Sequence, residues 1–303
     1  MVNAQPGPRL AVPEWLRGEY PFEPRTFQTA RGARLSYLDE GPRSDEAVVM
    51  VHGNPTWSFY YRGLVRALSP RLRCIVPDHV GMGLSAKPAD YPYTLATRIA
   101  DLAGLIDSLA LQRVHLVVHD WGGAIGLGWA GQNLARVGRI VVLNTAAFSS
   151  PQIPRRIALC KARGIGPLLV RGGNAFAWPA TWMAMHRRRL SALEQRGYLL
   201  PYDSWANRVA VNAFVQDIPM APAHPTWSVL RQVEEGLPQL RQRPVLIVWG
   251  GRDFCFNDHF LARWREILPE AQVQRLADAG HYVLEDARED ATAVITRFFP
   301  SRA

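Results

Sequence analysis

The sequence has few cysteines and no long apolar run, and each shortage excludes a class of protein. Its three cysteines, Cys74, Cys160 and Cys255, are odd in number and widely spaced, and none forms a Cys-x-x-Cys pair, so neither a disulfide framework nor a zinc site is expected. No stretch approaches the roughly 18 consecutive apolar residues that a membrane helix needs. The segment from Met1 to Tyr20 lacks the apolar centre of a signal peptide. We therefore expect a cytoplasmic protein.

Acidic residues are outnumbered by basic ones, and the chain of 303 residues carries a net charge of +9. The excess is local, because residues 150–200 contain nine Lys and Arg but a single acid, Glu194. Such a segment indicates either a solvated basic face or contact with an acidic partner or an anionic surface. With 48% hydrophobic residues, the chain is typical of a globular protein that forms one large α/β domain.

Short apolar runs alternate with helical patterns along most of the chain. Strands are predicted at residues 48–51, 73–77, 114–118, 140–143 and 245–249, and helices at residues 94–109, from about residue 121, and before the C-terminus. This alternation predicts an α/β fold with a mostly parallel sheet flanked by helices. In such a sheet the functional site lies at the carboxyl ends of the strands.

Residues 149–222 differ from this pattern. They are rich in Arg, Trp and Pro, their strand signals are weak, and a helix is predicted at residues 204–216. We expect an inserted helical cap (lid) domain at 149–222, with residues 1–148 and 223–303 forming the core.

The strongest chemical signal follows the third predicted strand, in the segment from Val118 to Gly123. A strand runs into His119-Asp120-Trp121-Gly122-Gly123 and then into a helix, which is the nucleophile-elbow pattern. The elbow position holds Asp120, whose carboxylate is anionic at neutral pH and can attack a carbon that bears a leaving group. Asp120 is thus the predicted nucleophile, although an isolated Asp in a turn is common.

An ester on that carboxylate must be hydrolysed, and this step requires a general base. His281, just beyond the last strand, is the candidate base, although it could also be a satisfied core histidine. Asp253 follows a strand directly and would orient the imidazole, with Asp258 and Asp286 as competing acids. The chain order nucleophile, acid, histidine is that of the α/β-hydrolases.

Two further residues are predicted to bind the developing oxygen anion or the leaving group. The backbone N–H groups of Asn54 and Trp121 would form an oxyanion hole, and their side chains add an amide and an indole N–H. The alternative for Trp121 is a role in core packing, since Trp is often buried for its area alone. The turn from Gly81 to Gly83 lacks the third glycine of a dinucleotide motif, and no Gly-x-x-x-x-Gly-Lys-Ser/Thr occurs, so we expect no bound nucleotide. We also expect no other cofactor, no metal and no nucleic-acid partner.

At these residues the sequence resembles a known family. His52-Gly53-Asn54-Pro55-Thr56-Trp57 together with His119-Asp120-Trp121-Gly122-Gly123 resembles the haloalkane dehalogenase family of α/β-hydrolases. The resemblance assigns the nucleophile to Asp120, the base to His281, the acid to Asp253 and leaving-group binding to Asn54 and Trp121. In one branch of the family the acid follows the preceding strand, where this chain has Leu143-Asn144-Thr145 and no carboxylate.

Other segments resemble one subgroup of that family. These are Asn144-Thr145-Ala146-Ala147-Phe148, the stretch at 201–208, Gln216-Asp217-Ile218-Pro219 and Arg252-Asp253-Phe254-Cys255-Phe256. The subgroup contains the β-lactone decarboxylases of bacterial long-chain olefin biosynthesis, which implies conversion of cis-3,4-dialkyl β-lactones to cis-alkenes and CO2. It also implies a hydrophobic small-molecule substrate and assembly with the upstream enzymes of that pathway.

Several alternatives remain open at this point. A true haloalkane dehalogenase would use the same catalytic residues, and an epoxide hydrolase would need two cap tyrosines, for which Tyr198 and Tyr202 are candidates. A binding protein on a hydrolase scaffold would not need an intact triad. Five aromatic residues are predicted to line the substrate pocket, unless they simply form the core of the cap: Phe148, Phe176, Trp178, Trp182 and Tyr202.

Overall fold

The computed structural model describes residues 12–299, so the first half of the N-terminal segment discussed above lies outside the described residues. Eight strands form one sheet: β1 Arg25–Gln28, β2 Arg34–Glu40, β3 Glu46–Val51, β4 Cys74–Asp78, β5 Arg113–His119, β6 Val137–Leu143, β7 Val245–Gly250 and β8 Gln272–Leu276. Their order is β1-β2-β4-β3-β5-β6-β7-β8. Only β1–β2 and β2–β4 pair antiparallel, so the predicted mostly parallel sheet is confirmed.

Helices cover the sheet and fill the connections between strands. They are α1 Arg62–Leu68, α2 Leu95–Ser108, α3 Trp121–Gln132, α4 Arg155–Lys161, α5 Ile165–Pro167, α6 Ala177–Met183, α7 Ala192–Leu199, α8 Val209–Gln216, α9 Trp227–Gly236, α10 Asp258–Ile267, α11 Val283–Asp286 and α12 Arg288–Phe298. In the described residues no helix is both long and apolar enough to cross a membrane.

The central strands form the hydrophobic core because both faces of the sheet are covered. Every residue of β7 is buried, and so is every residue of β5 after Arg113. Strands buried on both faces read as continuous apolar runs, which explains why these strands were predictable. The edge strand β8 is mostly exposed and polar, and the sequence indicated only its end, near Leu276, without its bounds. Apolar periodicity therefore located the centre of the sheet but not its edges.

Residues 149–222, which we call the insert, lie between β6 and β7 and contain helices α4 to α8. The helix predicted at 204–216 begins later, at Val209. Before it, the Ser204 hydroxyl accepts the Asn207 N–H at 3.2 Å and the Asn207 amide donates to Asp203 at 2.7 Å. These local side-chain hydrogen bonds stabilise a turn in competition with the helix.

Candidate active site

Asp120 occupies a sharp turn between β5 and α3. Its φ of 52° lies in the left-handed region, which is costly for a residue with a side chain and is typical of functional turns. The turn is possible because glycines follow it. A Cβ on Gly122 would collide with the Val51 carbonyl, and one on Gly123 would collide with the Thr145 side chain. The helix thus starts directly against the sheet and presents the carboxylate above its carboxyl edge.

The Asp120 carboxylate is buried and faces backbone donors. The Asn54 N–H donates to its Oδ1 at 2.7 Å. Burial raises the pKa of Asp120, while the positive charge of His281 and the backbone N–H groups of Asn54 and Trp121 act to lower it. The two predicted oxyanion-hole donors therefore face the Asp120 carboxylate itself, so they are placed to hold the carbonyl oxygen of an ester formed there.

The structure brings His281 and Asp253 to the same place. Nε2 of His281 lies 3.7 Å from Oδ2 of Asp120, and its Nδ1 lies 2.7 Å from Oδ2 of Asp253. The other Asp253 oxygen accepts the Cys255 N–H at 2.6 Å. Burial alone would lower the pKa of His281, but the charge and hydrogen bond of Asp253, together with the charge of Asp120, raise it overall.

The two competing acids have other partners. Asp258 forms an exposed ion pair with Arg275 at 2.7 Å. Asp286 is buried and accepts the Gly280 N–H at 2.6 Å together with three N–H groups of the insert, those of residues 186, 187 and 188. Asp286 thus ties the loop that carries His281 to the insert, and neither acid contacts the imidazole.

Asn144 stands where one branch of the resembling family has its acid. Its side chain donates to the Gly250 carbonyl at 3.0 Å and accepts the Gly250 N–H at 2.7 Å. It therefore fixes the end of β7, from which the Asp253 loop departs. The sequence showed that a carboxylate is missing here but not that the amide connects β6 to β7.

Two cavities open above Asp120. The first cavity is lined by Trp121 and Phe148, the second by His281 and Trp182, and Asn54 and Phe176 line both. The Asn54 side-chain amide also donates to the Val211 carbonyl at 3.1 Å. Phe148, Phe176 and Trp182, three of the predicted substrate-pocket residues, lie in the walls of these cavities.

Trp178 and Tyr202 lie outside the walls of both cavities, contrary to the prediction. Trp178 is on the outer face of α6 and is 53% exposed. Tyr202 belongs to the insert and is buried, and its hydroxyl donates to the Thr56 carbonyl of the core at 3.2 Å. Aromatic composition could not distinguish these positions, because the facing of a short helix depends on its packing.

The two tyrosines considered for epoxide chemistry have other partners. The Tyr198 hydroxyl donates to Glu285 at 2.7 Å, and that of Tyr202 donates to the Thr56 carbonyl. Burial raises the pKa of both well above 10. Neither tyrosine lines either of the two cavities described above. The arrangement that an epoxide hydrolase requires is therefore absent from these two cavities.

Several cavity residues were not predicted as such. Ile157, Leu230, Cys255, Phe256 and Phe260 line one or both cavities. Phe256 also stacks on His281, with ring centroids 5.8 Å apart. The segment from Phe254 to Phe256 had been noted only as a family resemblance. Its position directly after Asp253 was a usable signal that it reaches the site.

Comparison with known proteins agrees with this geometry. A family model described as the α/β hydrolase fold matches residues 46–287. The cis-3-alkyl-4-alkyloxetan-2-one decarboxylase of Xanthomonas campestris pv. campestris is 46% identical, with 92% of this chain and 96% of the relative covered. This chain belongs to the α/β-hydrolase family. The predicted nucleophile Asp120, acid Asp253 and base His281 follow one another along the chain in the order of that family.

More distant relatives of this α/β-hydrolase are haloalkane dehalogenases. Haloalkane dehalogenase 2 of Mycobacterium tuberculosis is 30% identical, with 92% of this chain and 96% of the relative covered. The crystal structure of the haloalkane dehalogenase DatA from Agrobacterium tumefaciens C58 has a TM-score of 0.79 at 25% identity and covers 91% of this chain and 96% of DatA. The predicted resemblance to this family is confirmed.

Proposed function

We propose that this enzyme is a β-lactone decarboxylase that converts cis-3,4-dialkyl β-lactones to cis-alkenes and CO2 in long-chain olefin biosynthesis. The observation that carries the proposal is a buried carboxylate, Asp120, at the nucleophile position of a chain 46% identical to named decarboxylases of this substrate. The mostly apolar cavities above it suit a hydrocarbon substrate.

A route through attack at the ring carbon C4 balances without water. Asp120 forms a C–O bond to C4, and the ring oxygen leaves as part of a carboxylate. When CO2 leaves, the electron pair of the bond between C3 and the carboxylate carbon forms the new C=C bond. The C4–O bond to Asp120 breaks at the same time, and Asp120 is again a carboxylate. Displacement inverts C4 and anti elimination follows, so a cis lactone yields a cis-alkene. Asn54 and Trp121 offer N–H donors to the leaving carboxylate.

Attack at the lactone carbonyl is the other route. It forms an anhydride with Asp120 and leaves the former ring oxygen on C4, which must depart later as hydroxide while water cleaves the anhydride. His281 would act as the base in that step, as it would for an alkyl ester of Asp120. The two routes therefore differ in whether water enters the reaction at Asp120.

The first experiment offers the enzyme a cis-dialkyl β-lactone and, in parallel, a 1-bromoalkane, and measures alkene and bromide. The proposal requires alkene from the lactone. It also requires that Asp120→Asn abolish alkene formation, with mass spectrometry to exclude deamidation of the new Asn. Rapid bromide release with an untouched lactone would instead identify a haloalkane dehalogenase, the alternative that the more distant relatives favour.

Turnover in H2(18)O tests the site of attack. The route through C4 leaves Asp120 unlabelled after many turnovers of lactone, because its C–O bond breaks on the substrate side. Hydrolysis of an ester or anhydride at its carboxyl carbon places (18)O in Asp120. Peptide mass spectrometry of the elbow segment distinguishes these outcomes within one sample.

A second proposal concerns partners and location. The three cysteines are free, which suits a reducing cytoplasm. In the insert, Arg187 forms ion pairs with Asp278 and Asp290, so it is already partnered. No ion pair within the described residues involves Arg155 or Arg163, and we propose that such residues contact an acidic surface of the upstream, lactone-forming enzymes.

Charge reversal tests this contact. Arg155→Glu combined with Arg163→Glu should weaken capture by the upstream enzymes, and added salt should weaken capture of the unaltered protein. Capture that is insensitive to both changes would contradict an electrostatic contact. Binding to anionic vesicles in place of the enzymes would instead identify a membrane surface as the partner.

A further inference from the structure

The two cavities above Asp120 form the two arms of one forked cavity. Both are lined by the same group of residues at the nucleophile: Asn54, Asp120, Ile157, Phe176 and Cys255. The first arm has a volume of about 130 Å³ and the second about 350 Å³. The reacting carboxylate therefore lies where the two arms meet, and not at the closed end of a single tunnel.

Beyond the fork, the walls of the arms come from different parts of the chain. The first arm runs between the core and the far end of the insert, past Ala146, Leu230 and Met220. The second arm runs under α6, past Ala180 and Met183. Each arm thus has wall residues that the other lacks, so the two can be altered separately.

We infer that each arm binds one of the two alkyl chains of a cis-3,4-dialkyl β-lactone. The inference rests on the proposed function. The two chains leave neighbouring ring carbons on the same side of the ring, so they cannot continue as one straight chain in one tunnel. A fork at Asp120 lets both chains enter apolar walls while the ring stays at the carboxylate. Ile157 and Phe176, which line both arms, lie between the chains.

A competing arrangement uses the arms in sequence, one for substrate access and the other for product release. In that case both chains occupy the same arm when the ring reaches Asp120. A substitution that narrows that arm would then lower kcat/KM for lactones with a long chain on either ring carbon. The same substitution in the other arm would not affect the chemical step. The two arrangements therefore predict different patterns for paired substrates.

Matched substitutions and two regioisomeric substrates separate these arrangements. Ala146→Leu narrows the first arm and Ala180→Leu narrows the second by the same three carbon atoms. Ala192→Leu, on the exposed start of α7, serves as the control that lines neither arm. The substrates are cis β-lactones with a long chain on C3 and methyl on C4, and the reverse. The measured quantity is kcat/KM for alkene formation.

The expected result is a crossed pattern. One arm variant loses roughly tenfold or more in kcat/KM for one regioisomer and little for the other, and the second arm variant shows the opposite preference, because each methylene displaced from an apolar wall lowers binding about fourfold. If Ala146→Leu or Ala180→Leu folds poorly, Met220→Trp and Met183→Trp narrow the same two arms from partly exposed positions.

Other outcomes overturn the inference, and they identify which premise failed. If the unaltered enzyme makes alkene but both arm variants penalise the same regioisomer, the assignment of one chain to each arm is wrong and the proposed function stands. The same conclusion follows if only one arm matters for both regioisomers. If the unaltered enzyme makes no alkene from either lactone, the proposed function fails and the inference fails with it.

Discussion

The sheet and the insert are held in place by different forces. The central strands are packed on both faces by apolar side chains and carry the elbow of Asp120. The insert, in contrast, leaves many of its apolar side chains exposed to solvent. It contributes eight of the nine large apolar side chains that are exposed in the described residues: Leu159, Ile165, Leu168, Trp178, Trp182, Leu193, Trp205 and Met220.

Buried charges tie the insert to the core. Glu194 of the insert lies 3.2 Å from Arg62 and 2.7 Å from Arg288, both in core helices. Arg188 of the insert lies 3.0 Å from Glu285. Burial acts to raise the pKa of Glu194, but its hydrogen bonds to Arg188 and neighbouring groups outweigh this and lower it to about 2. The comparison teaches that packing in the core positions the elbow, while ion pairs and local contacts position the part of the cavity walls that the insert supplies.

The largest expected effect concerns the chemistry that the core positions. For turnover that uses His281 as the base, Asp253→Asn should lower the rate by up to about 10⁴-fold, because the imidazole would lose the carboxylate that orients it and stabilises its charge. Asp258→Asn is the matched control, since that acid lies in an exposed ion pair with Arg275. Steady-state rates of both variants test the assignment, and equal losses would contradict it.

The raised pKa of His281 adds a pH dependence to this prediction. A base must be neutral, so any turnover that uses His281 as the base should fall as the pH decreases through a value above 6.5. Residual activity of Asp253→Asn should fall at a lower pH, because a charge that raises the pKa has been removed. A rate that falls only as the pH increases would exclude His281 as the base.

The next effect concerns the link between insert and core. Glu285→Gln should reduce the free energy of unfolding by about 1.5–3 kcal/mol, because the buried Arg62 would keep Glu194 but lose one charged partner, and Arg188 of the insert would lose its partner in the core. Glu266→Gln removes an acid from an exposed pair with Arg263, and there a loss of at most about 1 kcal/mol is expected. Urea unfolding measures both changes. Similar small losses would show that the network does not anchor the insert.

Close packing at the elbow is a test within the core itself. Gly122→Ala should destabilise the protein by about 1–3 kcal/mol and lower activity, because the new Cβ collides with the Val51 carbonyl. Gly131→Ala places the same methyl group in open space on the same helix, where it should be neutral or stabilising by up to about 1 kcal/mol. Melting temperature and kcat together distinguish collision from a general helix effect.

The smallest effect is expected on the outer face of the insert. Trp178→Ala should change the free energy of unfolding by less than about 0.5 kcal/mol and leave kcat/KM unchanged, because the side chain is largely exposed and lines neither arm. Phe176→Ala, two residues away, should lower kcat/KM several-fold, since Phe176 lines both arms. Equal effects of the two variants would contradict this division between wall and surface.

Central strands and the elbow were predictable because their signals are local. A buried parallel strand needs a continuous apolar run, and β5 and β7 have one. The elbow needs small residues directly after the nucleophile, and Gly122 and Gly123 supply them. The edge strand β1 was missed, and β8 was indicated only by its end, because strands with polar, exposed residues have no such run. The start of α8 was misplaced because side chains before it form a competing turn.

Asp120, Asn54, Trp121, Asp253 and His281 were thus singled out by the sequence itself, through the residue types that follow particular strands. Only the tertiary structure decided how far apart they lie, that Asp286 holds the His281 loop in place of orienting the imidazole, and that Trp178 faces outward. The fork at the nucleophile also came from the tertiary structure. Its walls combine residues more than a hundred positions apart, and local sequence patterns carry no information about such contacts.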